Sequence, residues 1–168
     1  GDIYFKEGKN SKEGSEKESY KYFEKAEKQY ILAYNADPDG IQGINSKFKR
    51  ALCLRERKKN DFLLKYFKDA FEITDLSREK WDNEGNKNRS EFLRIYYKML
   101  FEYGDFLMSL KKYSEAISIF ERVVLEYPSG EDRLWSLYLI GKAYELSNQQ
   151  EKAIAHYQRV LDENADDF

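Results

Sequence analysis

Apolar and polar positions along the chain form one pattern that is written twice between Gly104 and Leu161. Gly104, Ala116, Phe120 and Val123 return as Gly141, Ala153, Tyr157 and Val160, a fixed offset of 37 residues. In each copy the apolar residues recur at helical spacing, stop at a short polar stretch and resume, which predicts a helix, a turn and a second helix. A small residue sits midway along the first helix and another early in the second, so the two backbones can cross closely. The same step of 37 separates Ala26 from Leu63, which carries the period into the N-terminal half.

Taken in order, residues 1–40 read as a degenerate first hairpin in which Gly1-Asp2 aligns with Gly104-Asp105. Residues 9–19 lack apolar side chains and predict an expanded, solvated turn. A helix is expected over residues 16–35, with Ala26, Tyr30, Ala33 and Tyr34 on one face and Pro38 ending it. Residues 41–75 give a second hairpin, with Lys47, Ala51 and Leu54 on its first helix and Leu63, Phe67, Ala70 and Phe71 on its second. Leu63 and Ala116 lie 16 residues further apart than the step allows, so an insertion is placed at 76–89. It predicts a short helix near 77–83 with Trp81 tucked against its neighbours, then a polar loop broken by Gly85. Ser90 is expected to cap a helix whose apolar pattern runs from Phe92 to Leu110. That helix would be about 30 Å long by helical rise and is expected to be the longest element and the spine. Residues 90–130 and 131–168 form the third and fourth hairpins, with Ser129 and Asp132 offering a capping box for the last of them.

Leu100, Tyr103, Gly104, Leu107, Ala116, Phe120 and Pro128 in one copy, and Leu137, Ile140, Gly141, Tyr144, Ala153, Tyr157 and Ala165 in the other, resemble the tetratricopeptide repeat signature. The departures are Leu100 for the usual Trp, Leu107 for Tyr and Ala165 for the closing Pro. The resemblance implies an all-α fold, a right-handed α-α superhelix of about four hairpins with an insertion between the second and third. In that family the first helix of each hairpin lines a concave groove. Carried over, the groove positions are Asp2 and Phe5; Asn45, Phe48, Leu52 and Arg55; Lys98, Phe101, Asp105 and Met108; and Trp135, Tyr138, Lys142 and Glu145. Phe48, Phe101, Trp135 and Tyr138 would make an aromatic stripe suited to anchoring a peptide or helix of a partner protein. A terminal segment of the same chain is an equal alternative occupant. The clamp by which some relatives hold acidic chaperone termini is set aside, because Asp2 and Glu102 stand where it wants a neutral or basic residue. The phrase from Tyr113 to Gly130 is similar to tetratricopeptide domains of bacterial outer-membrane assembly lipoproteins and periplasmic division-coordination proteins. It implies a scaffold in the bacterial cell envelope; a self-associating architectural module and a cytoplasmic adaptor are the alternatives.

Composition narrows the remaining classes. Of 168 residues, 36% are charged and they balance to a net charge of -2, which argues against nucleic-acid binding through phosphate neutralisation. No apolar run approaches a membrane span. Cys53 is the only cysteine and His156 the only histidine, so no disulfide, metal site or cofactor is expected. Cys53 reads as a small buried hydrophobe and His156 as a solvated surface imidazole. With 14 Tyr, 11 Phe and 2 Trp, most rings are expected to wedge between helices. Glu102 and Asp105 are acids three apart on a helix, read as surface charge, and no enzyme activity is expected. The acidic end, residues 162–168, closes a helix expected to leave a stacking face open, as in a piece of a longer protein.

Overall fold

The computed structural model describes residues 1–11, 15–76, 78–81, 85, 87–126 and 131–165. These residues form helices and no strand: α1 (Asp2–Ser11), α2 (Glu16–Ala36), α3 (Ile41–Glu56), α4 (Asn60–Leu76), α5 (Arg78–Trp81), α6 (Arg89–Ser109), α7 (Tyr113–Glu126), α8 (Glu131–Leu146) and α9 (Gln150–Ala165). The fold is all-α, as the apolar spacing predicts.

Three of the hairpins turn by the same device. Lys58, Lys111 and Asn148 each adopt a left-handed backbone, with φ of 54°, 59° and 60°. Each stands five positions before Leu63, Ala116 or Ala153, so the turns obey the repeat. The following amide bonds back to the helix in every case, Lys59 N to Leu54 O at 3.1 Å, Lys112 N to Leu107 O at 2.9 Å and Gln149 N to Tyr144 O at 2.9 Å. A second bond runs from the left-handed residue itself to Arg55, Met108 or Glu145. This is the Schellman arrangement, which satisfies carbonyls that the helix end would otherwise leave unpaired.

The small residues of the pattern are where rings cross the facing backbone. A Cβ on Gly104 would lie 2.6 Å from the Phe120 ring and one on Gly141 2.7 Å from the Tyr157 ring, so only glycine admits these approaches. Gly1 meets Tyr30 in the same way. Gly8 meets Phe23 one stage further along the longer α1/α2 pair, where the Ser19 hydroxyl also donates to the Gly8 carbonyl at 2.7 Å. Ala51 and Phe67 are the corresponding pair of α3/α4, both fully buried.

The chain divides into two compact units, Gly1–Tyr96 and Tyr97–Phe168, and the boundary falls inside α6, which gives residues 89–96 to the first. In the first unit, Ala26, Tyr30 and Cys53 pack together with Phe5 against them. Trp81 is buried, its ring stacked 6.4 Å from Phe92, which stacks 5.8 Å from Tyr96. In the second unit Leu100, Leu107, Ala116, Phe120, Leu137 and Ile140 form the interior. Arg133 binds Glu163 of α9 through two nitrogens, at 2.9 and 3.0 Å, and also donates to the Val124 carbonyl, joining α7, α8 and α9.

Four details differ from the sequence expectation. The third hairpin starts at Arg89, so Ser90 lies within α6, and the Asn88 carbonyl takes the Phe92 amide in the first turn. At 21 residues α6 is no longer than α2, whose polar N-terminal half continues the helix because Ser15 caps it, accepting from the Glu18 amide. Ala33 is exposed: it lies a turn beyond Tyr30, the residue that Gly1 faces. His156 is half-buried against the Tyr144 ring, 5.4 Å away, with its Nδ1 enclosed and unbonded. Ser129, and with it the expected capping box, lies outside the described residues.

Candidate functional site

On α8, Trp135, Tyr138, Lys142 and Glu145 follow one another at spacings of three and four, which places them along one helix face. Trp135 is 52% exposed and Tyr138 37% exposed, and their rings stack with centroids 5.0 Å apart and planes 20° apart. The Tyr138 ring in turn meets Tyr157 of α9 at 5.7 Å. Gly141 makes this possible, because the missing Cβ lets the Tyr157 ring lie against the α8 backbone one turn from Tyr138. The Tyr157 hydroxyl donates to Glu145 Oε2 at 2.8 Å, and Lys142 Nζ donates to the same oxygen at 3.0 Å.

The electrostatics follow from those contacts. Lys142, and then the Tyr157 hydroxyl, hold the Glu145 carboxyl below the usual carboxylate range. Burial and the Glu145 hydrogen bond push the Tyr157 phenol up to about 12, so it stays a neutral donor. The four α8 residues and Tyr157 of α9 are thus one connected surface: three rings in sequence, ended by a fixed ion pair. Such a surface offers flat apolar contact beside a polar edge.

The other groove positions are divided between the units. In the second unit, α6 carries Lys98 exposed, with Phe101, Asp105 and Met108 half-buried. The Phe101 ring is tilted against Phe120 at 5.9 Å. In the first unit, Asn45, Leu52 and Arg55 are half-buried on α3. Phe48 differs from the expectation of an open anchor, being 9% exposed and part of that unit's interior. Asp2 and Phe5 serve α1: Asp2 accepts from the Tyr30 hydroxyl at 2.7 Å and pairs with Lys49, which together hold its carboxyl low, and Phe5 meets Phe23 edge-on at 5.4 Å. Cys53 is fully buried, and burial pushes its thiol up to about 12, which leaves no thiolate for chemistry. Tyr157 is the residue that sequence reasoning missed. Its equivalence to Phe120 marked it as interior, whereas it is half-buried and completes the ring series.

Residues 95–162, which reach from α6 to α9, match the family model described as tetratricopeptide repeat. No curated protein matches the chain. Among solved structures, the chain is similar to one titled "MamA RS-1 ArsTM double mutant", at 17% identity over 96% of this chain and 73% of that one, with a TM-score of 0.57. It is also similar to BtubC (BKLC) from P. vanneervenii, at 18% identity over 97% of this chain and 62% of that one, with a TM-score of 0.66. At these identities the likeness is one of helical fold. The chain spans less than two thirds of the BtubC chain.

Proposed function

We propose that the chain is a non-catalytic scaffold that binds a segment of a partner protein across Trp135, Tyr138 and Tyr157, with Lys142 and Glu145 as the polar border. The observation that carries the reading is the exposed Trp135–Tyr138 stack, held in register by Tyr157 before any partner arrives. Rings already fixed lose little freedom on binding, and large aromatic side chains supply most of the energy at protein interfaces. Lys98, Phe101, Asp105 and Met108 on α6 are further proposed contacts in the same unit, and Leu52 and Arg55 on α3 are proposed contacts of the first unit by itself. The finer form of the proposal is a scaffold in bacterial cell-envelope assembly or division, in the periplasm; what suggests it is the resemblance read from the sequence of residues 113–130 alone. A cytoplasmic adaptor would use the same residues. Among the described residues no helix is long and apolar enough to cross a membrane.

One observation favours a second reading, self-association. Ile154 and Leu161, two helical turns apart on α9, are 67% and 63% exposed, an apolar stripe that a second copy would cover. Capture from native extract with the wild type and a Trp135→Ala, Tyr138→Ala variant of matched helicity and melting tests the first reading. Loss of one specific protein from the variant supports it, and unchanged capture refutes it. Sedimentation over a range of concentrations tests the second: a mass that rises with concentration, and ceases to rise in Ile154→Ser, Leu161→Ser, is its expected result.

A further inference from the structure

The first unit carries a surface of different chemistry, on α2, α3 and α4. Two clefts, with volumes of about 350 and 310 Å³, share Arg50, Tyr66 and Asp69 as lining residues. The cations along them are Lys47, Arg50, Arg57, Lys59 and Lys65; the acids are Glu27 and Asp69. Glu27 is already committed, one oxygen taking Arg50 Nε at 3.1 Å and the other Arg57 at 2.5 Å. In a chain of net charge -2 this local excess of positive charge is a departure from the average surface.

Lys47 is the centre of that excess. It is 7% exposed, and its ammonium lies 4.7 Å over the Tyr34 ring and 3.5 Å from the Tyr34 hydroxyl. Among the described residues no carboxylate lies within ion-pairing distance of it. A buried cation without a counter-ion is costly, and the ring recovers only part of that cost. Burial accordingly holds Lys47 below its ordinary value, although Asp69 acts the other way. The walls are tyrosine. Arg50 lies 4.8 Å over the Tyr66 ring, whose hydroxyl donates to the Lys47 carbonyl at 3.1 Å and so pins α4 to α3.

We infer that this α2–α3–α4 groove binds an acidic, extended segment of a protein partner, with one carboxylate seated against Lys47 and Arg50 and its neighbours along Arg57, Lys59 and Lys65. The complementarity of charge selects the occupant: an incoming carboxylate supplies the counter-ion that Lys47 lacks, and adjoining clefts suit consecutive side chains of one strand. A nucleic acid would need a longer cationic track than five residues beside two acids provide. This site is independent of the ring surface on α8 and stands or falls separately from it.

The test is fluorescence anisotropy with the full chain and a fluorescein-labelled glutamate octapeptide, with a lysine octapeptide and a uridine octanucleotide as controls. The expected result is saturable binding that weakens with salt, about tenfold weaker binding in Lys47→Met. Asp69 is exposed on the groove, so Asp69→Asn is expected to strengthen binding about two- to threefold without touching the fold. Lys21→Ala, Lys25→Ala, in a separate cleft on α2, and Trp135→Ala are expected to leave binding unchanged. Amide shifts on titration are expected at Lys47, Arg50 and Tyr66. Absence of saturable binding by the wild type, no gain in Asp69→Asn, loss in Lys21→Ala, Lys25→Ala, or tighter binding of the oligonucleotide would each overturn the inference.

Discussion

Adding a methyl group at Gly104 and at Gly141 makes the same chemical change at equivalent places, yet only the first should destabilise the fold. Alanine in place of glycine inside a helix gains about 0.8–1 kcal/mol from propensity alone. Against it stands the ring on the facing helix, 2.6 Å from the new Cβ at Gly104 and 2.7 Å at Gly141. Phe120 is fully buried and backed by Phe101, so at position 104 the collision must be absorbed by the interior, at about 1–3 kcal/mol. The net expectation for Gly104→Ala is a loss of about 1 kcal/mol within a span of about 0–2, or about 2–4 °C in melting temperature for a chain of this size. Tyr157 is half-buried and can swing outward, giving up its hydrogen bond to Glu145 and its contact with Tyr138, about 1 kcal/mol together at a partly solvated site. Gly141→Ala is therefore expected to stay within about 0.5 kcal/mol of the wild type, the ring's cost and the propensity gain offsetting each other. Urea unfolding followed by circular dichroism measures both. If Gly104→Ala proves as stable as Gly141→Ala, the close crossing of α6 and α7 does not govern stability and the packing argument fails.

Three further expectations follow from the same contacts. Lys111→Gly relieves a left-handed lysine at the α6/α7 turn and should stabilise by about 0.5–1 kcal/mol after the entropy of the unfolded chain is counted, whereas Asn148→Gly should gain less because asparagine tolerates that region; equal thermal shifts would contradict this. Glu27→Gln leaves Arg50 and Arg57 partly buried without their shared carboxylate and should cost about 2–3 kcal/mol in denaturant unfolding, with a change below about 0.5 kcal/mol as the refuting result. Burial, and then Arg159, hold the His156 imidazole below its ordinary value, so the folded chain prefers it neutral. Its stabilising contribution is complete above about pH 6.5 and declines as pH falls through the folded value. The melting temperature should therefore drop less between pH 7 and pH 5 in His156→Gln than in the wild type, and identical slopes would refute the assignment.

The period was legible because it rests on size. Gly104, Phe120, Gly141 and Tyr157 are small or large in register, and that alone places the crossings. The turns were placed but not explained, since Lys58, Lys111 and Asn148 take a conformation that glycine usually signals, and two lysines there look like ordinary surface charge. Ser90 misled because two good capping residues stand two positions apart: asparagine suits a helix start as well as serine, and α6 begins directly after Asn88. His156 looked solvated because a single polar residue on a helix face reveals nothing of the Tyr144 ring beside it. For the candidate site, helical spacing was enough to gather Trp135, Tyr138, Lys142 and Glu145. Tyr157 escaped because the repeat equates it with the interior Phe120. Phe48 was read as open by the same carry-over, yet its ring is taken up by the first unit's own interior. The cationic groove was hidden for another reason: Lys47 and Arg50 lie on α3, Arg57 directly follows its last residue, and they meet Tyr34, Glu27 and Tyr66 only once α2 and α4 close on α3.

The central claim is that the exposed rings of α8 bind the partner, and Trp135 reports on it directly. In a Trp81→Phe background, which keeps a ring against Phe92, all tryptophan emission comes from Trp135. Titration with the purified partner captured from extract should shift that emission to the blue and saturate, and Trp135→Ala should weaken the same complex by about 2 kcal/mol or more in calorimetry, roughly thirtyfold. An unshifted emission with affinity unchanged in Trp135→Ala would contradict the account and move the binding surface elsewhere on the chain.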